Sequence, residues 1–80
     1  MLKLIFYTRT KCPLCDKAKT ALIEMRSENP FELEEWDIDE SDELTEKYGL
    51  MIPVVELDGE MLQYGHIDKF ELSKRLQKKD

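Results

Sequence analysis

The sequence predicts an α/β domain of element order β-α-β-α-β-β-α, with four strands in one mixed sheet covered by helices. Three observations predict it. The apolar run from Leu2 to Thr8 is followed by a segment of helical periodicity and then by a second strand, the pattern of parallel strands joined through a right-handed helical crossover. Two short strands flank Asp58-Gly59, a strong signal for a tight hairpin, so these two are antiparallel. The chain has 80 residues and no repeat, low-complexity tract or linker, so every element belongs to one domain spanning residues 1–80.

Leu2 to Thr8 is rich in strand formers apart from Lys3 and suits a central strand buried on both faces. Thr10-Lys11-Cys12 then leads to Pro13, which is favoured at the first position of a helix because its missing N–H would be unpaired there anyway. Leu14, Ala18, Ala21, Leu22 and Met25 recur at helical spacing and form one apolar stripe. Asn29-Pro30 ends that helix, because the residue before a proline resists helical geometry. Phe31 to Ile38 reads as the second strand. Phe31 and Leu33 share one phase and Trp36 and Ile38 the other, so a bulge or an edge position is expected. Trp36 is read as strand packing and Asp37 as solvated charge.

Ser41 is an N-cap for a short helix through Tyr48, with Gly49 as its stop. Val54 to Leu57 and Met61 to Tyr64 form the hairpin strands. Gly65 breaks the pattern, and Asp68 caps a last helix carrying Phe70, Leu72 and Leu76. Lys74, Arg75, Lys78 and Lys79 stand near that helix's negative end, where cations are favourable.

An apolar fraction of 41% with 38% charged residues fits a globular chain rather than a disordered one. No stretch approaches the roughly 18 consecutive apolar residues of a membrane span. Leu4-Ile5-Phe6-Tyr7 is too short for the core of a signal peptide and no small-residue cleavage site follows it, so a reducing cytoplasm is the expected location. The net charge of −6 is unevenly spread: residues 1–26 hold six bases and two acids, residues 27–60 thirteen acids and one base, Lys47. That balance argues against a nucleic-acid partner. The basic part surrounds the cysteines, where positive charge favours a thiolate and an anionic partner.

Cys12 and Cys15 are the only cysteines. A bridge between them closes almost no loop and restrains the unfolded chain little, which leaves redox chemistry or metal binding. Zinc would need two more ligands, and the chain offers one histidine, His66, and no further cysteine. A C-x-x-C between a strand and a helix is instead the context of a thioredoxin-like redox site. With the helix starting at Pro13, Cys12 sits at its cap, where unpaired N–H groups and the helix dipole favour negative charge. Cys12 is therefore the expected nucleophile, with Lys11 and Pro13 supporting it. Cys15 is one turn further on, within reach of a disulfide, more buried and suited to resolve a mixed disulfide.

The segment Phe6-Tyr7-Thr8-Arg9-Thr10-Lys11-Cys12-Pro13-Leu14-Cys15 resembles the active-site segment of glutaredoxins, a strand followed by a lysine and then Cys-Pro-Tyr-Cys. Met51-Ile52-Pro53-Val54 resembles that family's Thr-Val-Pro segment, and Tyr64-Gly65-His66-Ile67-Asp68 stands in place of its Gly-Gly-x-x-Asp segment. The resemblance covers nearly the whole chain, and the order and spacing of all three motifs agree. It implies a minimal thioredoxin fold and a thiol–disulfide oxidoreductase that reduces protein disulfides or glutathione mixed disulfides. By the same resemblance, Arg9 contacts a glutathione carboxylate, Ile52 offers its backbone to an extended substrate, and Pro53 is cis and faces the cysteines. Ile67, by its backbone, and Asp68, by its carboxylate, receive the γ-glutamyl group. His66 is read as a loop residue. Leu14 replaces the family's tyrosine, Met51 its threonine and Tyr64 its first glycine, three departures that bear on glutathione binding.

The expected partners are disulfide-containing proteins, with glutathione or thioredoxin reductase as the source of electrons, no permanently bound cofactor or metal, no membrane, and a monomeric state. Two alternatives stand beside this reading. One is an electron donor dedicated to a single reductase partner and fed by thioredoxin reductase. The other is a module that binds an iron–sulfur cluster between two subunits with glutathione, against which the presence of Cys15 argues.

Overall fold

The computed structural model describes residues 2–79, and of Lys78 and Lys79 the backbone alone, so the cations expected there lie outside the described side chains. Strand alternation in β1 (Lys3–Thr8) turns Leu4 and Phe6 to one face, where both are fully buried, and Ile5 and Tyr7 to the other, where they are half-buried. The two faces are thus unequal, which corrects the expectation of a strand buried alike on both. Helix α1 (Pro13–Glu28) follows, with Cys12 as N-cap and Asn29 as C-cap. Its buried row is Cys15, Ala18, Leu22 and Met25. Leu14, expected in that stripe, is exposed, and Cys15 heads the row instead.

Strand β2 (Glu32–Asp37) pairs parallel to β1 from Lys3↔Glu32 to Thr8↔Asp37 without a slip in register. It lies at the sheet's edge, in the order β2-β1-β3-β4, which accounts for its weak alternation without a bulge. Trp36 is 46% exposed and packs little, contrary to its expected role. The strand also stops one residue early. The Asp37 carboxylate accepts the Asp39 N–H at 2.9 Å and caps a 3-10 turn over Ile38–Glu40, which drops Ile38 into the interior.

Helix α2 (Asp42–Tyr48) starts at Ser41, whose hydroxyl accepts the Leu44 N–H at 3.2 Å. Gly49 ends it in right-handed geometry (φ −55°), not by a left-handed turn. Its lack of a side chain serves close approach: a Cβ there would lie 2.4 Å from the Thr45 carbonyl oxygen. Strands β3 (Val54–Leu57) and β4 (Glu60–Tyr64) meet through Asp58 and Gly59, both at positive φ (53° and 81°), the geometry of a two-residue hairpin turn. Val55 opposes Gln63 while Glu56 opposes Met61, so Leu62 is an extra residue and the sheet's one recorded register shift falls here.

Helix α3 (Lys69–Lys79) begins after Asp68, one carboxylate oxygen of which accepts the N–H groups of Phe70 (2.9 Å) and Glu71 (3.3 Å). Leu72 and Leu76 are buried and Phe70 is exposed. Lys74 pairs with Glu71 and Arg75 with Glu60.

The larger core lies between the Leu4–Phe6 face of the sheet and helices α1 and α3, joined by Phe31, Val55, Leu57, Leu62 and Ile67. On the opposite face a smaller cluster of Ile38, Tyr48 and Val54 is covered by Tyr7, Leu44, Met51 and Ile52. Among the described residues no helix is long and apolar enough to cross a membrane.

Candidate functional site

The parallel strand and its crossover place the start of α1 at the carboxyl end of β1, where a ligand meets helix N-termini in α/β sheets. Lys11 makes the turn at φ 57°, in the left-handed region that a lysine rarely adopts, and delivers Cys12 to the cap in extended geometry (φ −121°, ψ 101°). The Cys12 sulfur accepts the Cys15 N–H at 3.2 Å, one of the donors that a helix start leaves unpaired. Both cysteines are free thiols. Cys12 is half-buried, whereas Cys15 is 2% exposed. Burial, and then the hydrogen bond with Cys12, push the Cys15 thiol above the ordinary cysteine value.

Cys15 and Ile67 belong to the larger core, with Cys12 and Ile52 packed against it, so four of the sequence-predicted site residues share one apolar cluster. The Ile52–Pro53 peptide bond is cis. Ile52 was expected to offer its backbone to a substrate, but its N–H is bonded to the Tyr48 carbonyl at 3.1 Å, which also holds the Met51 N–H at 2.8 Å. A donor from Ile52 must first be released from Tyr48. The Gly65 N–H, donated to the carbonyls of Met51 (3.0 Å) and Pro53 (2.8 Å), ties the Tyr64–Gly65 corner to the same loop.

Arg9 and Asp68 are engaged within the chain. The Arg9 guanidinium holds one Asp39 carboxylate oxygen through both Nε and a terminal nitrogen, each at 3.0 Å. Asp68 spends one carboxylate oxygen on its helix cap, and its own N–H goes to the Gln63 side-chain carbonyl at 2.9 Å. Tyr64, 56% exposed, stands beside that corner. Among the described residues, no three His, Cys, Asp or Glu side chains are grouped to hold a metal ion.

Several residues at the site escaped the sequence. Asp39 is one of many acids and gains its role only when the 3-10 turn brings it to Arg9. Gln63 carries no motif. Glu56 is buried in β3, where Tyr48 donates its hydroxyl to it at 2.9 Å and the Tyr7 and Tyr48 rings stack at 4.5 Å. Burial first, and then the hydrogen bond with Glu56, push the Tyr7 phenol well above its ordinary value. The available signal was a lone acid within Val-Val-Glu-Leu. Pairing it with two tyrosines 8 and 49 residues away needs the fold.

A family model described as a glutaredoxin-like domain (DUF836) matches residues 3–77. The solved structure of protein XcR50 from X. campestris is 32% identical, with 94% of this chain and 96% of that one covered and a TM-score of 0.81. Protein Ne2328 from Nitrosomonas europaea is 28% identical, with 92% and 89% covered and a TM-score of 0.80. Mitochondrial thioredoxin 3 from Saccharomyces cerevisiae, at 20% identity, 96% and 77% coverage and a TM-score of 0.70, shares the fold. The fold is therefore the thioredoxin fold, with the two cysteines adjacent at the start of its first helix.

Proposed function

This chain belongs to the glutaredoxin-like domain (DUF836) family, and from that premise we propose that it reduces disulfides by exchange at Cys12 and Cys15. The observation that carries the reading is the asymmetry of the pair: a half-exposed Cys12 at the helix cap and a buried Cys15 with a raised thiol, one turn apart. In the first step the Cys12 thiolate attacks a substrate sulfur, forms a mixed disulfide and expels the other sulfur as a thiolate. Cys15 then loses its proton to water and attacks the Cys12 sulfur. The Cys12–Cys15 disulfide forms, the substrate leaves as a dithiol, and two electrons have passed to it. An external thiol or reductase returns the pair to the reduced state, in a reducing compartment such as the cytoplasm.

The use of the neighbouring polar groups bears on the source of those electrons. Arg9 is paired with Asp39, the Asp68 N–H with Gln63, and Tyr64 flanks that corner. Arg9, the group expected to contact a glutathione carboxylate, is thus satisfied internally, and so is the backbone N–H beside the expected γ-glutamyl site. That favours a second reading within the same chemistry, a redoxin fed by thioredoxin reductase and serving a dedicated protein acceptor.

Turnover of hydroxyethyl disulfide with NADPH tests both, coupled in one arm to glutathione and glutathione reductase and in the other to thioredoxin reductase, with Cys12→Ser as control. The expected result is Cys12-dependent turnover, faster in the thioredoxin reductase arm. Faster glutathione-coupled turnover would assign glutathione as the reductant. Turnover in neither arm by a folded, reducible protein would overturn the exchange reading.

A further inference from the structure

In β1 the residues facing the helices are Leu4, Phe6 and Thr8, two apolar side chains and then one hydroxyl at the strand's end. In α1 the row that faces back is Cys15, Ala18, Leu22 and Met25. The polar end of one row therefore meets the sulfur that begins the other. A crevice of about 170 Å³ opens at this place, bordered by Thr8, Arg9 and Cys15. Cys15 is thus closed toward the core and approached by water on the side where Thr8 stands.

We propose that Thr8 is a positioning residue for the resolving cysteine, its hydroxyl donating to the Cys15 sulfur as that thiol becomes a thiolate, beside the backbone N–H of Arg9. This rests on the exchange reading and concerns its second step alone. The proton of Cys15 leaves to water in the crevice, its sulfur bonds to Cys12, and the bond from Cys12 to the substrate sulfur breaks. Burial and Cys12 make the Cys15 thiolate costly, and hydrogen bonding from the Thr8 side chain and the Arg9 backbone opposes them. The charged and titratable groups around this sulfur are Cys12 at the cap of α1, Asp16 and Lys19 on α1, Arg9 in the turn after β1, and Glu35 and Asp37 on β2. Lys19 is paired with Glu35 at 3.1 Å and Arg9 with Asp39 at 3.0 Å, so the nearby cations are already spent on carboxylates. That leaves neutral donors to support the thiolate.

The test separates the two steps. Reduced protein mixed with 5,5′-dithiobis(2-nitrobenzoate) in a stopped-flow instrument releases one coloured thiolate when Cys12 attacks and a second when Cys15 resolves. Cys15→Ser identifies the first phase. In Thr8→Val the first phase is expected to keep its rate. The second should slow about tenfold at neutral pH, as for loss of one hydrogen bond to an anion, with its pH midpoint moved upward and Thr8→Ser restoring both. A second phase in Thr8→Val with unchanged rate and pH profile overturns the proposal. So does a slowed phase whose pH profile stays put and which serine does not rescue, the mark of altered packing. Absence of the second phase from the unsubstituted protein, with the fold intact, removes the exchange reading itself.

Discussion

Tyr48→Phe removes one oxygen and little else. The ring remains to stack on Tyr7 at 4.5 Å, and the backbone carbonyl that holds the Met51 and Ile52 amides is unchanged. What disappears is the hydroxyl that donates to Glu56 at 2.9 Å, between groups only 4% and 8% exposed. Water does not replace a donor at that depth without opening the interface of α2 with the sheet. The loss is that of a hydrogen bond to a charged, buried acceptor, about 2 kcal/mol. For a domain of this size that corresponds to a fall in Tm of about 10 °C. Urea unfolding at pH 7, followed by far-UV circular dichroism, is the assay, with Glu56→Gln and the double variant completing a thermodynamic cycle. The amide still accepts from Tyr48, so Glu56→Gln alone is expected to cost less than Tyr48→Phe. A loss below about 0.5 kcal/mol in Tyr48→Phe, or no coupling in the cycle, would refute the view that this pair fastens α2 to the sheet.

Three further outcomes follow from the same contacts. Gly49→Ala forces a Cβ to within 2.4 Å of the Thr45 carbonyl oxygen, and urea unfolding should show a loss of about 1–2 kcal/mol where a helical glycine is ordinarily improved by alanine. Asp68→Ala removes the acceptor for the Phe70 and Glu71 N–H groups and should cost about 1 kcal/mol in the same experiment, in line with other caps. Cys15 and Tyr7 both hold their protons more tightly folded than unfolded. Their contribution is complete below the ordinary cysteine value of about 8.5 and is lost as pH rises, first through the thiol and then beyond the ordinary tyrosine value of about 10. Urea midpoints should therefore fall between pH 7 and pH 10.5, and Cys15→Ser should flatten the lower part of that fall.

What could be read from the sequence is what neighbouring residues decide among themselves. Pro13, Ser41 and Asp68 start helices by local hydrogen-bond chemistry, Pro30 ends one by local sterics, and Asp58-Gly59 turns a hairpin by its own backbone preference. The four-stranded mixed sheet followed from these. Leu14 and Cys15 show the limit of periodicity: the stripe was visible, but which neighbour headed it depended on the direction of the helix against β1. Ile38 left the strand because Asp37 capped a turn, a competition between two local structures that propensity alone does not rank. Arg9 and Glu56 were out of reach for a different reason. Their partners lie 30 and 8 residues away, and the partner's identity is a property of the packed sheet.

The edge position of β2 has a consequence for how this molecule meets copies of itself. Beyond β2 no further strand follows in the sheet order, so an outer row of backbone donors and acceptors is of the kind onto which another chain can add. The strand reads Glu-Leu-Glu-Glu-Trp-Asp, and two copies laid edge to edge would bring like-charged carboxylates close together. Repulsion of this kind acts in the folded and the partly unfolded chain alike. The acidic row that weakens β2 as a core strand thus works against a second copy adding to the sheet along this edge.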